Sequence, residues 1–142
     1  MRTIETSTDI AAPRWRMWQV LTDVDRCPAW NPFITSVDGA LREDGKLRVR
    51  IEPPGRRAVT FGPTVVALAQ ERELRWRGWL LVPGLLAGEH AFRLEERAGG
   101  CRFRQTVRFS GVLAPLLGAG LLEATRRGCE ATDGALKARA EG

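Results

Sequence analysis

At 142 residues, 44% apolar and 27% charged, the chain has the size and composition of one globular domain with a buried core, expected to run from residue 1 to residue 142. The net charge of +5 comes almost wholly from arginine and admits anionic partners without requiring one. No apolar run approaches the ~20 residues that span a bilayer, Met1–Asp9 lacks an apolar signal core, and Cys27, Cys101 and Cys129 form no CxxC pair, which argues against both a disulfide framework and a cysteine zinc site. Free buried thiols suit a reducing compartment, so the cytoplasm is the expected location.

Thr3 to Ile10 alternates and predicts a first strand. Ala11-Ala12-Pro13 stops it and places proline at the start of a helix over Arg14–Thr22, with Trp15, Trp18 and Leu21 spaced along one side. Asp23 or Asp25 is placed to cap a second short helix, closed by Pro28. Trp30-Asn31-Pro32-Phe33 is an aromatic turn into a strand over Ile34–Asp38. Alternating strands follow. The first carries Leu47, Val49 and Ile51, and the next carries Val59 and Phe61 and resumes through Val65 and Leu68 after a bulge or kink at Gly62-Pro63. Later strands carry Leu74, Trp76, Gly78 and Leu80, then His90, Phe92 and Leu94, then Phe103, Gln105, Val107 and Phe109. From Gly111 to Ala140 the pattern is helical, with an apolar stripe of Leu113, Leu116, Leu117, Leu121, Ala124, Ala131, Ala135 and Ala138, and Pro115 in its first turn.

The order is therefore one strand, two short helices, six strands and a long helix. Short turns make the strands an antiparallel meander with one charged face and one apolar face. The only large apolar helix left to cover the dry face is the last. The fold class is α+β, a curved antiparallel sheet of about seven strands wrapped around a long C-terminal helix.

This order, with Ile10-Ala11-Ala12-Pro13 into Met17-Trp18, Leu21-Thr22-Asp23, Trp30-Asn31-Pro32-Phe33-Ile34, Leu74-Arg75-Trp76-Arg77-Gly78, Gly88-Glu89-His90-Ala91-Phe92 and Phe109-Ser110-Gly111, resembles the helix-grip superfamily of START-like and Bet v 1-like (SRPBCC) domains, and within it the polyketide cyclase/dehydrase-like group. The likeness covers essentially the whole chain. Cys27 departs from it, standing where an aromatic residue is common. The resemblance implies a cavity between sheet and helix for a lipid-, polyketide- or isoprenoid-like molecule. It does not fix a reaction, because such folds host many functions. An enzyme of this group would be a cyclase or dehydratase.

Strand alternation and the resemblance give a candidate cavity of Trp30, Phe33, Phe61, Trp76, His90, Phe92, Phe103, Gln105, Leu117 and Leu121. Antiparallel turns alternate between the two ends of a sheet. The Pro53–Arg57 turn, the Leu81–Gly88 loop and the Ser110–Leu113 junction should therefore gather at one end, giving a mouth of Pro54, Gly55, Pro83, Gly84, Leu85 and Leu113. His90, the only histidine, is the single candidate for acid–base work; on a dry wall it could equally hydrogen-bond a ligand or be a satisfied core residue. No catalytic set is assigned, and no metal or cofactor is expected, since GxSxG, HExxH, P-loop and GxGxxG patterns are all absent. The segment Leu80–Ala87 could line the pocket, touch a membrane surface, pack on a second copy of the chain as a homodimer, or fold over the core. Arg48, Arg50, Arg75, Arg77, Arg93, Arg102, Arg104 and Arg108 share the wet face with Glu52, Glu89 and Glu95; without aromatic platforms or a recognition helix, they predict cross-strand ion pairs rather than a nucleic-acid partner.

Overall fold

The computed structural model describes residues 2–80 and 84–142. Its elements are β1 (Arg2–Ile10), α1 (Arg14–Thr22), a 3-10 turn (Val24–Arg26), α2 (Cys27–Trp30), β2 (Ile34–Gly39), β3 (Leu47–Ile51), β4 (Val59–Phe61), β5 (Thr64–Ala69), β6 (Glu73–Trp79), β7 (Ala87–Arg97), β8 (Gly100–Ser110) and α3 (Ala119–Glu141). A five-stranded sheet runs β1-β8-β7-β6-β5, and a three-stranded sheet runs β2-β3-β4, with every pairing antiparallel. The first and last strands meet, from Arg2 opposite Phe109 to Ile10 opposite Cys101. Lys46 pairs with Thr64, and Leu47 N–H donates to the Pro63 carbonyl at 2.8 Å, so the two sheets join into one curved surface.

Among the described residues there are eight strands rather than seven, because the segment expected to be one kinked strand is two. Pro63 has no N–H to offer a ladder, and at Gly62-Pro63 the chain leaves the smaller sheet for the larger. Gly78 lies against this corner; a Cβ there would come 3.0 Å from Pro63 Cα.

The helices differ in detail from the sequence pattern. α1 buries Met17, Val20 and Leu21, while Trp15 lies 59% exposed, so the helix turns its aliphatic side inward rather than the Trp15 side. Pro28 stands in the first turn of α2, where no backbone donor is needed, instead of ending the helix. Asn31 then ties the aromatic turn down. Its buried Oδ1 accepts from Phe33 N–H at 2.9 Å and Ile34 N–H at 3.0 Å, and lies 3.1 Å from the Thr132 hydroxyl on α3.

The long helix begins at Ala119, not near Gly111. Ala114–Leu116 forms a separate 3-10 turn that holds Pro115, and extended Gly118 caps α3. The buried face of α3 is Ala124, Thr125, Gly128, Cys129, Thr132, Asp133, Leu136 and Ala140; Ala138 is exposed and Leu116 is 76% exposed. The expected apolar stripe is thus rotated, because three polar side chains find partners inside. Thr125 donates to the Leu121 carbonyl at 2.9 Å, the Thr132 hydroxyl lies 3.1 Å from the Gly128 carbonyl, and Asp133 meets Gln105.

Gly128 lets α3 close on Phe33, since a Cβ there would lie 2.4 Å from the ring. Gly134 has nothing within 4 Å. Gly128→Ala should therefore cost about 2 kcal/mol through overpacking, although alanine is the better helix former. Gly134→Ala should stabilise by about 1 kcal/mol. Urea unfolding of the two variants measures both signs.

The outer face of the sheet is ion-paired. Arg75 meets Glu73 at 3.2 Å and Glu89 at 3.3 Å, Arg93 meets Glu73 at 3.2 Å, Arg102 meets Asp9 at 2.8 Å, and Arg104 meets Glu5 at 2.8 Å and Glu95 at 3.2 Å. Arg50 reaches Glu52 at 3.6 Å. Such exposed pairs contribute little individually, but they neutralise much of the charge the sequence places on that face. No described helix is long and apolar enough to cross a membrane.

Candidate functional site

Between the sheets and the start of α3 lies a cavity of about 290 Å³. Phe33 is part of its wall. Ile51, Pro53, Val59 and Phe61 come from β3, β4 and their turn; Trp76, Leu80, Leu86, Gly88, Glu89 and His90 come from β6, β7 and the connection between them. Val107 and Phe109 of β8, with Leu117, Leu121 and Thr125 from the helix side, complete the wall. The lining is apolar apart from His90, Thr125 and Glu89, and the Glu89 carboxylate is paired with Arg75 on the outer face.

Of the residues the sequence puts forward, Phe33, Phe61, Trp76, His90, Leu117 and Leu121 line this cavity together. Phe92, Phe103, Gln105 and Trp30 do not. Phe92 and Phe103 are fully buried and stack with ring centroids 6.2 Å apart, in the core shared with Met17, Leu74 and Leu136. Phe92 and Trp30 border a separate void of about 20 Å³ under α2. Gln105 lies fully buried behind His90. Alternation along a strand tells which face a residue is on but not how deep; the inner face of β7 and β8 is cavity wall at His90, Val107 and Phe109 and solid core at Phe92 and Phe103. Ile51, Val59, Val107 and Phe109 were readable from the same alternation; Leu86, Gly88 and Thr125 carried no such signal.

Of the residues expected at a mouth, the described ones lie on two connections that approach the segment leading into α3 and its first turn. Pro54 and Gly55 sit exposed on the β3–β4 turn, and a Cβ on Gly120 would come 2.8 Å from Arg56 Nη2, so this turn reaches the helix. Gly84 and Leu85 are exposed on the β6–β7 connection, and half-buried Leu113 donates its N–H to the Leu85 carbonyl at 3.0 Å. Gly111 has φ +105° and passes close beneath the Leu85 carbonyl, where a side chain would not fit. Pro83, with Leu81 and Val82, lies outside the described residues. Within Leu80–Ala87, Leu80 and Leu86 line the cavity, Ala87 is buried, and Leu85 is at the surface.

His90 is the one histidine and is buried against aromatic rings. It stacks on Phe92 with centroids 4.1 Å apart and meets the edge of Trp76 at 5.8 Å. Desolvation lowers its pKa to about 4, partly opposed by the hydrogen bond to Gln105, so the ring is neutral at physiological pH. Nε2 lies 2.8 Å from Gln105 Oε1. The Gln105 amide nitrogen donates to the Cys129 carbonyl at 2.9 Å and to Asp133 Oδ1 at 2.7 Å. Burial pushes Asp133 above the usual carboxylate range, and it pushes the Cys129 thiol up to about 12. The sequence analysis does not single out Asp133; its partner Gln105 on β8 reveals it. Among the described residues no three His, Cys, Asp or Glu side chains cluster as a metal site would require.

Among curated proteins, none matches this sequence. Solved structures of similar shape include a START superfamily protein from Mycobacterium smegmatis, 19% identical, with TM-score 0.77, covering 98% of this chain and 97% of that one. A protein of Thermus thermophilus is 15% identical with TM-score 0.78, covering 98% and 97%. The Zhui aromatase/cyclase from a Streptomyces species is 18% identical with TM-score 0.74, covering 99% and 93%. At these identities the likeness is one of fold. The family described as polyketide cyclase / dehydrase and lipid transport matches residues 1–141. Its fold is that of the START superfamily structure above, and with the family match over nearly its full length, the chain belongs to the polyketide cyclase/dehydrase and lipid transport family.

Proposed function

We propose that this chain binds one small apolar or amphipathic molecule, of lipid-, polyketide- or isoprenoid-like character, in the cavity between its sheet and α3. The observation that carries this reading is a void of about 290 Å³ with an almost wholly apolar wall. Such a space has room for about ten waters at ~30 Å³ each, and an apolar wall holds water poorly. Filling it with an apolar body removes that wall from solvent, the largest favourable term available to a pocket of this kind.

Acid–base turnover is the weaker reading. The one candidate base, His90, has its pKa held down at about 4, far from the operating pH at which a general base works best. Its Nε2 is also committed to Gln105.

The test is binding by tag-free protein. Native mass spectrometry should detect a co-purified lipophilic molecule, or anilinonaphthalene sulfonate should quench the fluorescence of Trp76 in the wall. Leu121→Trp, which fills the cavity from α3, should weaken the dye by roughly tenfold to a hundredfold. An absence of binding by the parent protein, or equal binding by the filled variant, would overturn the proposal.

A further inference from the structure

The polar chemistry of the cavity is one-sided. The Gln105 amide cannot be turned over, because one of its ends faces the Cys129 carbonyl, which only accepts; the nitrogen must stand there, 2.9 Å away. Its oxygen therefore faces His90 Nε2 at 2.8 Å, and Nε2 must carry the proton. In a neutral ring that leaves Nδ1 as a bare lone pair. Nδ1 has no partner among the described residues, and it is not among the unpartnered polar atoms that the protein seals in. His90 as a residue is 8% exposed and forms part of the cavity wall.

Thr125 points the same way. Its hydroxyl proton is given to the Leu121 carbonyl at 2.9 Å, so toward the cavity it can only accept. Among the described residues of the lining, the one unspent side-chain donor, Trp76 Nε1, is fully covered by protein and cannot meet a ligand without rearrangement.

We infer that this cavity selects ligands that carry a hydrogen-bond donor, a hydroxyl or phenol on an apolar body, with His90 Nδ1 as the group that receives it. A ligand whose inner polar atom is a carbonyl or ether oxygen meets lone pair with lone pair and leaves both sides without a hydrogen bond. The inference rests on the cavity reading above and adds the chemistry of the ligand to it.

The probes are naphthol and its methyl ether, which share one aromatic body and differ by the donor. Titrated into the tag-free protein, naphthol should bind about tenfold more tightly, although the ether is the more hydrophobic of the two. Because the chain has a single histidine, a long-range proton–nitrogen NMR spectrum reads the ring without assignment. The free protein should show protonated Nε2 and bare Nδ1, and naphthol but not the ether should shift Nδ1. A ring protonated on Nδ1, or equal affinity for both probes, would overturn the inference while leaving the cavity reading in place. Failure of both probes to bind would remove the cavity reading, and this inference with it.

Discussion

Asn31→Ala is expected to lower the free energy of unfolding by about 3 kcal/mol, read as a fall in the urea midpoint with an unchanged slope. The loss does not come from side-chain volume. Asn31 Oδ1 serves two buried backbone donors, Phe33 N–H and Ile34 N–H, at the point where the chain turns from α2 into β2. Without it both donors are orphaned away from water, each at a cost of about 1–3 kcal/mol less whatever relaxation recovers. The Thr132 hydroxyl loses a neighbour but still has the Gly128 carbonyl, so α3 itself is little affected. Asn31→Asp keeps an acceptor oxygen and should lose less near the carboxylate range than at neutral pH, where a buried charge is added. Because Phe33 forms part of the cavity wall, Asn31→Ala should also weaken dye binding. A loss of stability below about 1 kcal/mol would mean that water reaches the two orphaned donors.

This turn was legible in the sequence as an aromatic corner, yet the reason for its asparagine was not. The side chain acts on the next few residues and on a helix about a hundred positions later, and only the first of these is local. The same division runs through the molecule. Alternation located β7 and β8 because each side of a strand sees one environment along its length. The α3 stripe was misplaced because Thr125, Thr132 and Asp133 score as surface residues until their partners are known. Gly62-Pro63 was read as a kink since proline forbids a ladder bond there; that the chain also changes sheets depends on where β6 offers Gly78, a long-range fact. The cavity was legible in outline, since strand alternation and the family resemblance point to Phe33, Phe61, Trp76, His90, Leu117 and Leu121, which line it together. Its depth was not, because Phe92 and Phe103 obey the same alternation as His90 and differ only in what packs over them.

His90 makes folding stability depend on pH in a window where few other groups titrate. In the unfolded chain its pKa is near the ordinary 6.5; in the folded protein it is about 4. Between these values the unfolded state binds a proton that the folded state refuses, so stability is full above about pH 6.5 and is lost as pH falls toward 4. The whole shift corresponds to about 3 kcal/mol, and about 2 kcal/mol of it should be gone by about pH 5. Asp133 works in the opposite sense. Its raised pKa lets the folded state hold a proton that the unfolded chain has released, so its contribution grows as pH falls into the carboxylate range and offsets the lower end of the His90 loss. Cys129, with its thiol at about 12, takes no part. His90→Gln isolates the histidine, because the amide can still donate to Gln105 while carrying no titrating group. Urea unfolding at about pH 7 and about pH 5 should show the parent losing about 2 kcal/mol more than the variant. If the two lose equally, His90 titrates in the fold as it does in the unfolded chain, and the pH dependence assigned to it fails.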